Sequence, residues 1–95
     1  MPIALVTVRL RLPSRTLKEK RTIVKSVVER LRNRFNASIA ELDDLDDPAI
    51  ATIGAAVLSN EGRHADDQAQ SIVAAIEVWR LDAEVLEIGT ELIQV

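Results

Sequence analysis

Ten of the twelve lysines and arginines fall between positions 9 and 34, with only Glu19 and Glu29 among them. Guanidinium and ammonium groups gathered on one stretch suit one kind of chemistry, the binding of anions and of phosphates above all. That stretch carries +8 and the other 69 residues sum to −11, so the formal net charge of −3 describes one positive element on a negative body.

Groups for covalent or proton-transfer chemistry are sparse. With no cysteine and a single His64, the chain has no thiolate nucleophile, no disulfide and no cysteine or histidine metal site. His64 falls on a first helical turn and reads as a solvent-exposed side chain rather than a base. Asp43, Asp44, Asp46 and Asp47 crowd one turn, but the turn lacks the Asp-x-Asp-x-Asp-Gly spacing and the bidentate Glu of a calcium loop. Arg15 and Asn60 are the residue types of an acylphosphatase-like hydrolase, in which an arginine cradles phosphate and an asparagine orients water. The link PSRT holds no glycine, however, and without backbone donors one arginine makes a poor oxyanion site. The expectation is a protein with no catalytic residues, no metal and no cofactor.

The elements that must position the cations follow from hydrophobic period. Ile3 to Leu12 alternates, with Ala4, Val6, Val8, Leu10 and Leu12 on the buried face of a strand that Pro13 ends. Thr16 and Glu19 have the spacing of a capping box, so a helix is expected from Thr16 to about Arg34, stopped by Asn36. Its apolar stripe gathers Leu17, Val24, Val27, Val28, Leu31 and Phe35. Lys20 falls inside that stripe, with its stem expected along the sheet rim and its ammonium in water. On the opposite side of the wheel from the stripe Lys18, Arg21, Lys25 and Arg32 are expected to share a band of roughly 60°, a ridge about 20 Å long at 1.5 Å per residue.

Residues 37–43 and 49–59 read as a hairpin across the turn DLDDP. The small face of its second strand, Thr52, Gly54 and Ala56, points to close packing. Ser59 and Asn60 are placed to cap a second helix from Gly62 to Arg80 that buries Ala65, Ala69, Ile72, Val73, Ile76 and Trp79. Residues 83–95 alternate again as a fourth strand. Strand, helix, strand, strand, helix, strand is the split order of a ferredoxin-like α+β domain over residues 1–95, a four-stranded antiparallel sheet with both helices on one face. Arg9 and Arg11 are then expected to face Glu87 and Glu91 across the open side.

The run from LPSRTLKEKR through RLRNRFNASIAELD, with ATIGAAVLSN and EVLEIGTELI, resembles the small bacterial YlxP-like proteins, domain-of-unknown-function family 503. The likeness covers nearly the whole chain. It departs from many relatives in the hairpin turn, where Leu45, Asp46, Asp47 and Pro48 stand in place of an aromatic and a basic residue. The family has no characterised activity. Its genes commonly neighbour those for transcription-termination, translation-initiation and ribosome-maturation factors, so the resemblance implies a role near RNA or the ribosome.

The expected function is therefore an RNA- or ribosome-associated binding module in which Arg15, Lys18, Arg21, Lys25 and Arg32 contact phosphates. The alternative is a protein-interaction or regulatory module whose basic helix docks on the acidic remainder of a second copy, giving a homo-oligomer. The strands lack the aromatic residues on which an RNA-recognition sheet stacks bases, so contact has to come through the helix. The opening IALVTVRLRL is too short and too interrupted by arginine for a signal peptide or a membrane span, which makes the cytoplasm the expected location.

Overall fold

The computed structural model describes residues 1–79 and 83–95. Six elements follow one another: β1 (Pro2–Arg11), α1 (Leu17–Arg34), β2 (Ser38–Asp43), β3 (Ile50–Leu58), α2 (Gly62–Val78) and β4 (Glu84–Gln94). The strands form one antiparallel sheet in the order β2-β3-β1-β4. This is the ferredoxin-like α+β fold that the periodicity predicts. The expected helix end at Arg80 lies outside the described residues.

Period sets the layers. The alternate residues Ala4, Val6, Val8 and Leu10 of β1, with Leu12 just past its end, are all buried, and they share one core with Val24, Val27, Val28 and Leu31 of α1 and Ala65, Ala69, Ile72 and Ile76 of α2. Both helices therefore cover the same face of the sheet. Burial of each such valine, leucine or isoleucine contributes about 1.5–3 kcal/mol, which ties α1 firmly in rotation about its axis.

The caps fix where the helices begin. The Thr16 hydroxyl accepts from the Glu19 N–H at 3.1 Å, as the capping box requires. At α2 the Ser59 hydroxyl accepts from the Glu61 N–H at 3.2 Å, and Glu61 rather than Asn60 is the cap residue. The small face of β3 is packed within the domain: a Cβ at Gly54 would collide with Leu42 Cδ1, because the side chain from the edge strand lies across it.

Register corrects two expectations. Arg9 stands opposite Glu87, but its ion pair is with Asp44, Nε to Oδ2 at 3.2 Å. A bulge between Arg9 and Leu10 then shifts β4, so that Arg11 meets Glu84 at 3.2 Å while Glu91 faces Leu5. Arg15 follows the end of β1, whereas Asn60 follows the end of β3, whose Leu58 pairs with Ile3 at the start of β1. The two residues thus lie at opposite ends of the sheet, about 30 Å apart along ten residues of strand, and cannot share a phosphate.

Candidate nucleic-acid interface

The cap at Thr16 and the buried stripe decide where the cations of α1 point. Lys18, Arg21 and Lys25 are exposed on the helix, and Arg15 is exposed just before it. The three ion pairs among the described residues use Arg9, Arg11 and Lys20, and none uses Arg15, Lys18, Arg21 or Lys25. Four cations on the helix and its entrance therefore project into solvent without an acidic partner among the described residues.

Arg32 behaves differently. Its Nη2 donates to the Ile39 carbonyl at 2.8 Å, so this arginine reaches down the side of α1 to the edge strand β2. Because Arg32 shares its band with Lys18, Arg21 and Lys25, the ridge flanks the buried stripe on the β2 side instead of standing opposite it. Arg30, on the other flank, lies over the Trp79 ring at 4.3 Å from its centroid, which occupies that ring as a rim contact.

Lys20 corrects the sequence reading outright. Its side chain is only 1% exposed, with Nζ 3.0 Å from Glu41 Oε2 and donating to the Asp44 carbonyl at 2.5 Å. Glu41 Oε2 is buried and has no well-aligned donor, so the contact with Lys20 is charge on charge rather than a directed hydrogen bond. The ammonium stays inside because β2 alternates: Ile39 and Glu41 share the helix-facing side, and Glu41 waits there for a cation. That signal is present in the sequence, since period two groups Glu41 with Ile39 and the helical period places Lys20 in the stripe.

Asp44 joins this cluster to the open face of the sheet. It adopts φ 59°, a left-handed conformation that aspartate tolerates better than most residues. The Thr52 hydroxyl donates to its Oδ2 at 2.7 Å, and this bond, with the Arg9 guanidinium beside it, holds its carboxyl below the usual 3.8. A cleft of about 310 Å³ opens here between Thr7, Arg9, Asp44, Thr52, Glu87 and Gly89. Arg9, Asp44 and Thr52 already satisfy one another, and the cleft lies across the sheet from α1, separate from the ridge. The acids of the turn also serve the backbone: Asp47 Oδ1 accepts from the N–H groups of Ala49 at 2.9 Å and Ile50 at 3.2 Å.

The family model described as Protein of unknown function (DUF503) matches residues 3–90. The chain belongs to DUF503. Over 62 residues, spanning 65% of this DUF503 chain and 67% of the relative, it is 32% identical to the Bacillus subtilis (strain 168) protein named "Uncharacterized protein YlxP". Among the described residues, no helix of the DUF503 chain is long and apolar enough to cross a membrane.

Proposed function

We propose that the chain is a non-catalytic RNA- or ribosome-associated binding module that grips phosphates through the ridge of α1. One observation carries the reading: Arg15, Lys18, Arg21 and Lys25 are exposed, close together at one end of α1 and free of acidic partners among the described residues, whereas Arg9, Arg11 and Lys20 are paired. Holding four cations unpaired and close together is unfavourable by itself, and a polyanion relieves it by releasing its own counterions. The acidic remainder of the molecule repels nucleic acid elsewhere and leaves α1 as the docking side. Arg32 adds its free guanidinium nitrogens at the far end of the ridge while it holds β2.

The test is the quadruple variant Lys18→Gln, Arg21→Gln, Lys25→Gln and Arg32→Gln. Glutamine keeps the helix propensity of the residues it replaces, so the far-ultraviolet spectrum should be retained. RNA affinity, measured by filter binding across a salt series, should fall to the background level. The slope of log affinity on log salt should become shallower by about 3 to 4 units, from roughly 0.7–0.9 per phosphate contact. Equal affinity and slope in parent and variant would show that the ridge is only a solvated face.

A further inference from the structure

The two edges of the sheet are treated in opposite ways. The β2 edge is short, is bulged between Glu41 and Asp43, turns the charged Glu41 inward, and has its Ile39 carbonyl capped by Arg32. Each of these features blocks the addition of a further strand. The β4 edge is longer, bulges once at Leu86 and runs straight from Glu87 to Gln94. It runs for 11 residues, and side chains on both of its faces lie open: Leu92 on the helix side is 45% exposed, Ile93 on the other side 37%. Val85 and Val95 are exposed near its two ends.

We infer that β4 pairs antiparallel with β4 of a second copy, joining two sheets into one of eight strands. The strand's own sequence selects this occupant and the register. With Thr90 on the two-fold axis, the straight residues 87–93 of one copy lie against residues 93–87 of the other. Ile88 then meets Leu92 on the helix side, while Glu87 meets Ile93 and Glu91 meets Gly89 on the open side, so no acid faces an acid. Shifting the axis by one residue to Gly89 would set Glu87 against Glu91 twice. A contact length of roughly 7 residues at 3.4 Å per residue, with the Ile88–Leu92 pair made twice, suits an isologous interface.

This pairing is independent of the RNA reading, and the two fit together. Both helix layers stay on one side of the extended sheet, and α1 keeps its place on the β2 flank, far from the axis. The two ridges come to the opposite ends of eight strands, roughly 34 Å apart across seven spacings of about 4.8 Å.

The experiment exploits a chain that contains no cysteine. Thr90→Cys places one thiol directly on the axis, where facing Cα atoms in an antiparallel pair stand about 4.5–5.5 Å apart, within disulfide reach. Under mild oxidation Thr90→Cys should become a covalent dimer, while Ser26→Cys on the outer face of α1 should not. Gly89→Cys and Glu91→Cys should each stay uncrosslinked alone and crosslink when mixed. Sedimentation of the cysteine-free parent should show a dimer that persists at high salt, weakened roughly tenfold by Leu92→Lys because the axis counts that cross-strand pair twice. A parent that remains monomeric at its highest soluble concentration would overturn the inference. So would a dimer in which Thr90→Cys crosslinks no faster than Ser26→Cys, or one that dissolves in salt as a ridge-to-body contact should.

Discussion

Lys20 shows how one side chain on a helix can decide the path of a hairpin. Its ammonium holds the Asp44 carbonyl and faces the Glu41 carboxylate, so the left-handed residue that starts the β2–β3 turn is fixed from beneath by α1. Two charges withdrawn from water gain less than their proximity suggests, yet stranding one of them is costly. Lys20→Met should therefore destabilise the fold by about 2 to 3 kcal/mol, toward the low end for a broken buried pair because Glu41 keeps 20% of its side chain in solvent. Adding Glu41→Leu to Lys20→Met should recover most of that loss. Urea unfolding of the two variants and the parent measures both terms, and simple additivity of two losses would contradict the stranded-charge account.

At the scale of elements, the faces of β1, β3, α1 and α2 were legible because burial follows a period of 2 or 3.6, and Thr16 with Glu19 marked the start of α1 in the same local way. The partners of charged residues were not legible, since they depend on register. The bulge after Arg9 moved Arg11 onto Glu84, and the left-handed Asp44 brought its carboxylate to Arg9 and Thr52. The position of the ridge was half legible: helical spacing grouped Lys18, Arg21, Lys25 and Arg32, but only packing showed that the group overhangs β2. This difference separates three substitutions in α1. Leu31→Ala should cost about 2 to 4 kcal/mol, because Leu31 is fully buried and truncation leaves a cavity. Arg32→Ala should cost roughly 1 kcal/mol through its bond to the Ile39 carbonyl. Lys25→Ala should stay within about 0.5 kcal/mol. Thermal denaturation that ranked Arg32 with Lys25 would mean that the tie to β2 contributes nothing in solution.

For the whole molecule, what matters is where charge lies rather than its sum. The principal extents are 42, 24 and 21 Å, and the Debye length at physiological salt is about 8 Å, so the ridge on α1 and the paired cations on the open face of the sheet are screened from each other. Two double variants with the same loss of charge should then behave differently toward RNA. Lys18→Gln with Arg21→Gln removes two unpaired cations from the ridge, and the salt slope should become shallower by about 1.4 to 1.8 units. Arg9→Gln with Arg11→Gln removes two cations that Asp44 and Glu84 already neutralise, and the slope should not change. If net charge alone governed binding, both variants would weaken it alike, since each lowers the formal charge from −3 to −5. Side-by-side titrations of one RNA at three salt concentrations distinguish the cases. Loss of binding by the sheet variant alone would move the interface to the open face, where Arg9 lines the cleft with Thr7 and Gly89.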